Sequence, residues 1–140
     1  MREIRPLREE DRDFWLRLDR HISGEGFTEK VRTGQGLVIL EDGVPAGLLR
    51  WSLFWDEIPF CNLLYVEPAR QRQGLGRALM TRWEADMLAR GFGMVLTSTQ
   101  ADEEAQHFYR KLGYRDCGGF VIAEPGCPAP MELMLRKHLE

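Results

Sequence analysis

Two glycines and three arginines stand where an apolar run, Asn62-Leu63-Leu64-Tyr65-Val66, passes through Glu67-Pro68-Ala69 into Arg70-Gln71-Arg72-Gln73-Gly74-Leu75-Gly76-Arg77 and an amphipathic stretch. The first N–H groups of a helix lack intrahelical partners and carry the positive end of its dipole. Gly74 and Gly76, without Cβ, let an anion come close to those groups. Arg70, Arg72 and Arg77 gather positive charge here in a chain whose formal net charge is -3. Such a junction suits the binding of a phosphate ester. Other phosphate loops do not fit. The chain has no Gly-Lys-Ser/Thr tripeptide, and Leu79 stands where a dinucleotide fingerprint needs its third glycine. A glycine-containing turn with solvated arginines is the plainer reading of the segment taken alone.

A second constellation lies downstream in Asp102-Glu103-Glu104-Ala105-Gln106-His107-Phe108-Tyr109-Arg110-Lys111-Leu112-Gly113-Tyr114. Ala105, Phe108, Tyr109 and Leu112 recur at helical spacing, and Gly113 is a natural C-terminal stop. Thr99 or Asp102 is expected to cap the start. Together the two segments resemble the GNAT superfamily of N-acetyltransferases. The family's Q/R-x-x-G-x-G/A loop reads Gln71-Arg72-Gln73-Gly74-Leu75-Gly76 here, and its A-x-x-F/L-Y-x-K-x-G-F/Y segment reads Ala105 through Tyr114. The match is sharp over Leu63 to Tyr114. Asp102 is a departure, since asparagine often stands there in the family.

The resemblance implies acetyl-CoA as co-substrate, with no metal. Gln71, Arg72, Gln73, Gly74, Leu75, Gly76 and Arg77 would hold the pyrophosphate. Leu64, Tyr65 and Val66 would pair with pantetheine, with Asp102, Phe108 and Tyr109 also at the cofactor. The fourth strand would splay from the fifth, freeing the Val66 N–H for the thioester oxygen; such a donor is typically worth ~10²–10³ in rate. Tyr109 would be the general acid that protonates the departing thiolate, against the alternative of a core aromatic beside Phe108. Lys111 is balanced between phosphate contact and a solvated face.

As acceptor the resemblance implies an amine of a small molecule or a peptide. Trp51 and Trp55, as residues of one strand face, are expected to line one wall, with Asp56 and Glu57 at its rim to attract a cation. Glu57 or Asp56 would act as general base, with Glu67 a weaker choice and proton loss to water an alternative. His21, at the turn after the first helix, is a further acceptor-side residue. The competing function is a non-catalytic acyl-CoA-binding sensor or interaction module, which would have no use for a phenol at position 109.

These residues require a frame. A first strand is expected over Arg2 to Leu7, then a helix with Phe14, Trp15, Leu18 and Ile22 on one stripe, broken by Gly24 and Gly26. Thr28 is expected to cap a short second helix. Gly36–Glu41 and Val44–Trp55 flank Asp42-Gly43, a hairpin signal. Phe60–Glu67 is the fourth strand, and Leu75, Leu79, Trp83 and Met87 mark the buried stripe of the next helix. Met94–Ser98, Tyr114–Ile122 and Met131–Arg136 complete the strands. Hairpins followed by strand–helix–strand units imply an α/β (α+β) fold: a mixed, mostly antiparallel central sheet of about six to seven strands with helices on both faces.

At 140 residues, with 44% hydrophobic and 29% charged residues, the chain reads as one globular domain, residues 1–140. The slightly acidic balance points away from nucleic acid, and no apolar run reaches membrane-spanning length. Cys61, Cys117 and Cys127 show no metal or redox spacing and read as free thiols of a reducing cytoplasm. A monomer or homodimer without nucleic-acid or membrane partners is expected.

Overall fold

The computed structural model describes residues 1–140. In chain order the elements are β1 (Arg2–Pro6), α1 (Arg12–Leu18), α2 (Gly24–Thr33), β2 (Gly36–Glu41), β3 (Val44–Phe54), β4 (Ile58–Val66), α3 (Leu75–Ala89), β5 (Met94–Gln100), α4 (Ala105–Lys111), β6 (Arg115–Phe120) and β7 (Glu132–His138). Short 3-10 turns precede α1 at Glu9–Asp11 and α3 at Pro68–Arg70. The seven strands form one sheet in the order β1-β2-β3-β4-β5-β7-β6. The β4–β5 pair is parallel, with Phe60 opposite Leu96 and Cys61 opposite Thr97, which makes the sheet mixed. Contacts group the residues into two compact units. The first is Met1–Ser52 with Asn62–Asp86; the second is Leu53–Cys61 with Met87–Glu140.

In the first unit β2 is buried on both faces, which is why it reads as an unbroken apolar run. Val38 and Leu40 join Leu7, Trp15, Phe27 and Leu48 in one core cluster, with Trp15 and Phe27 meeting edge to face at 6.0 Å. Leu37 and Ile39 point the other way, opposite Leu49 and Gly47 in the β2–β3 register. On that second face Trp51 packs at 6.4 Å on Trp83 of α3. Leu75, Leu79, Trp83 and Met87 are each at most 1% exposed, so the expected stripe is the buried one. The Asp42-Gly43 hairpin is as anticipated, with φ of 50° and 81°.

Two local expectations are corrected. α1 stops at Leu18 because Asp19 turns to extended backbone and its buried carboxylate captures the Trp15 indole N–H at 3.1 Å and Arg50 at 2.7 Å. Gly24 and Gly26 open α2 rather than break a helix. Ser23, not Thr28, is the N-cap, its hydroxyl accepting the Gly26 N–H at 3.0 Å. Glycine suits position 26 because a Cβ there would lie 2.8 Å from the Ile22 side chain.

In the second unit β7 pairs antiparallel with both β5 and β6. The β6 residues are exposed throughout, and Val121 and Ile122, expected in the strand, lie beyond its end. Neither Thr99 nor Asp102 caps α4. Thr99 belongs to β5, Glu104 occupies the N-cap without a side-chain bond, and Gln106 reaches back to the carbonyls of Ala101 and Glu103 at 2.8 and 3.0 Å. Gly113 ends the helix region with φ of 98°.

Candidate active site

The loop between β4 and α3 is held at several points within the first unit. Gln71 donates its side-chain amide to the Val66 carbonyl at 3.0 Å, tying the loop back to the strand. Gly74 has φ of 83°, and its carbonyl accepts the Ala78 N–H at 3.0 Å, so α3 begins there. The N–H groups of Leu75, Gly76 and Arg77 head that helix and have no carbonyl one turn earlier to bond. A Cβ at Gly74 would meet only Arg2 Nη1, at 3.7 Å, so the backbone lies open to an anion. Arg72, Gln73 and Arg77 are exposed around it, whereas the Leu75 side chain is 1% exposed and leaves only its backbone for a ligand. Arg72 has φ of 66°, a left-handed conformation costing about 1–2 kcal/mol for a residue with a Cβ. A loop that keeps such a residue there is strongly determined by its surroundings.

Arg2 is a cation that sequence reading missed. From β1 its guanidinium donates to the Gln73 carbonyl, bracing the loop across a separation of 71 residues. No local signal marks it. Arg70, by contrast, turns to Glu41 at 2.9 Å, where its hydrogen bond and then that of Arg2 hold the Glu41 carboxyl below its usual range. Its charge is offset at that carboxylate.

In the second unit Tyr109 is 6% exposed and meets Phe108 and Tyr114 edge to face, at 5.3 and 5.7 Å. Its hydroxyl lies beside Thr97. The Thr97 hydroxyl donates to the Cys61 carbonyl at 3.1 Å. Burial holds the phenol well above its ordinary pKa; the electrostatic influence of Cys61 adds to this, Thr97 opposes it and Glu103 adds a little. The phenol is therefore in its acid form at neutral pH. Two residues on, and on the same face of β5, Thr99 Oγ1 is buried without a partner. Asp102 is exposed in the turn after β5, and Phe108 is half-buried.

The acceptor-side expectations need correction. Trp51 is 3% exposed and serves the core against Trp83, while Trp55 is 75% exposed. β3 ends at Phe54, so strand alternation stops before Trp55. Trp55 and Asp56 instead form a two-residue turn with φ of 57° and 61°, closed by the Glu57 N–H to the Phe54 carbonyl at 3.0 Å. The premise of a shared strand face fails. Asp56 and Glu57 are exposed, and Glu67 is ion-paired to Arg17 at 2.5 Å. His21 does line a cavity, of about 380 Å³, with Arg17, Leu18, Arg20, Leu63 and Tyr65. Lys111 is exposed and Cys61 is buried. No group of three or more His, Cys, Asp or Glu side chains is arranged to hold a metal ion, and no helix is long and apolar enough to cross a membrane.

A mixed seven-stranded sheet with four α-helices and a glycine loop leading from β4 into α3 defines the fold class. Solved structures share it at low identity. Ard1 from Thermoplasma volcanium superposes with a TM-score of 0.85 at 17% identity, over 99% of this chain and 98% of that one. The ribosomal-protein-S18-alanine N-acetyltransferase from Escherichia coli gives 0.78 at 18%, over 100% and 95%. A GNAT family acetyltransferase from Elizabethkingia anophelis, solved with acetyl-CoA bound, gives 0.78 at 18%, over 99% and 98%. No curated protein matches the sequence. The model of the Acetyltransferase (GNAT) family matches residues 2–114, and the chain belongs to that family.

Proposed function

We propose that this protein transfers the acetyl group of acetyl-CoA directly to an amine of a small molecule or peptide. The observation that carries the reading is Tyr109: a phenol on α4 kept protonated by burial. A protein that only bound an acyl thioester would need no such acid.

The residues take distinct roles. The N–H groups of Leu75, Gly76 and Arg77, with Arg2, Arg72 and Gln73 around them, bind the pyrophosphate at the positive end of α3. Leu64, Tyr65 and Val66 meet pantetheine along β4, and the Val66 N–H stabilises the thioester oxygen as it gains charge. The unpartnered Thr99 hydroxyl and Asp102 supply further polar contacts to the cofactor, beside Phe108 and Tyr109. The amine nitrogen forms a bond to the carbonyl carbon as the C–S bond breaks. The nitrogen gives up one proton, to Glu57, Asp56 or water, and Tyr109 returns one to the sulfur, giving an N-acetyl amine and CoA thiol. The resulting phenolate recovers its proton from solvent. The exposed thiols of Cys117 and Cys127 suit a reducing cytoplasm, where the protein acts as a monomer or homodimer.

Release of free thiol from acetyl-CoA over an amine panel tests the reading. Acceptor-dependent release supports it. Tight acetyl-CoA binding, with neither acceptor-dependent release nor slow hydrolysis, would make the protein an acyl-CoA sensor.

A further inference from the structure

The cavity beside β4 is divided by chemistry. Leu18, Leu63 and Tyr65 form its apolar wall, and Arg17, Arg20 and His21 its polar one. At about 380 Å³ it is within the range of small-ligand sites, at the lower end. Two carboxylates stand near these cations, and both are engaged. Glu67 pairs with Arg17 at 2.5 Å. Asp19, whose side chain is 0% exposed, pairs with Arg50 at 2.7 Å. Asp19 also accepts the His21 backbone N–H at 3.1 Å, so a buried, neutralised carboxylate shapes the turn that presents Arg20 and His21 to the cavity. Of the two guanidiniums that line the cavity, Arg17 is the one with a carboxylate partner. Arg20, exposed between α1 and α2, is paired with no carboxylate of the chain.

We propose that this cavity binds the anionic end of the acceptor, which is an amine carrying a carboxylate or phosphate group on a small apolar body. The proposal rests on the acetyltransferase reading and names its substrate class. The planar donor fork of Arg20 matches a carboxylate or phosphate in two parallel bonds, and the apolar wall covers an aliphatic side chain. Tyr65 directly precedes Val66, so an acceptor seated here lies beside the strand end assigned to the thioester. The reaction keeps its balance: one N–H proton leaves, a C–N bond forms, a C–S bond breaks and the thiolate gains a proton. The charge is opposite to that expected from Asp56 and Glu57.

A matched set tests the charge: leucine, its neutral amide, and leucinol phosphate, compared by kcat/KM on wild type, Arg20→Gln and Arg20→Lys. Leucine or leucinol phosphate should exceed leucinamide by roughly tenfold at low salt, although the amide's amine loses its proton more readily. Which of the two anions leads distinguishes a carboxylate from a phosphate. Arg20→Gln should bring the ratio to within about threefold, with acetyl-CoA KM and leucinamide turnover unchanged, and Arg20→Lys should restore part of it. Equal or better use of leucinamide, or a preference that survives Arg20→Gln, overturns the proposal. Product binding reads the cavity without turnover. N-acetyl-leucine should raise the melting temperature more than N-acetyl-leucinamide, and Arg20→Gln should remove the difference. Charge-dependent protection without any acetyl transfer would defeat the enzyme reading and leave the anion site standing. Equal protection in an active acetyltransferase would do the reverse.

Discussion

The hydroxyl of Thr97 donates to the carbonyl of Cys61 at 3.1 Å, across the parallel β4–β5 ladder. That bond fixes the Thr97 hydroxyl beside the buried Tyr109 phenol. Burial keeps that phenol protonated, so the acid form of Tyr109 is defined before any ligand arrives.

Thr97→Val should remove the donor to the Cys61 carbonyl and the hydroxyl beside the buried Tyr109 phenol. A cost of about 1–3 kcal/mol in stability is expected, with a fall in kcat larger than any change in acetyl-CoA KM. Thr97→Ser should recover both. Steady-state kinetics and thermal melts on the three proteins check this; a kcat that does not follow the serine rescue would separate Thr97 from Tyr109.

Tyr109→Phe keeps the ring packing and deletes the proton donor. Turnover should fall by about 10²–10⁴ while acetyl-CoA affinity holds. The variant also tests the pKa. The folded phenol titrates above its unfolded value, so it contributes stability below pH ~10 that is lost as pH rises beyond it. Between pH 9 and 11 the wild type should therefore lose more melting temperature than Tyr109→Phe. Parallel pH curves would show an unperturbed phenol.

Acetyl-CoA at a hundredfold excess over its dissociation constant should stabilise the fold by ~2.7 kcal/mol, and ATP or NADH much less. Gly74→Val should abolish this protection. The substituted side chain would stand in the open space above the loop, in a left-handed conformation that β-branched residues resist. A folded Gly74→Val protein with full affinity, measured by calorimetry, would remove the phosphate-binding role of the loop.

Arg2→Gln should raise the acetyl-CoA KM by roughly three- to tenfold with little change in kcat, because Arg2 braces Gln73 and adds a cation near Gly74 without touching the acetyl group. The increase should shrink at high salt. A kcat defect instead would place Arg2 in the chemical step.

Much of this protein is determined by residues close together in sequence, because turns and helix faces are local. The glycines at 74 and 113, the Asp42-Gly43 hairpin and the four-residue recurrence from Leu75 to Met87 each prescribe a backbone shape within one or two turns. They suffice to outline the loop, the helix carrying Tyr109 and the succession of elements along the chain. Tertiary structure decided the rest, through contacts between distant residues. Arg2 reaches a loop 71 residues away and Thr97 a carbonyl 36 residues away, separations at which spacing carries no signal. The turn at Trp55-Asp56 puts a tryptophan in left-handed backbone, which that residue type resists, so strand alternation ends one residue earlier than the sequence suggests. Whether a tryptophan is core or surface, and which arginine already has a carboxylate, depends on what packs against it. Only the folded chain supplies those neighbours.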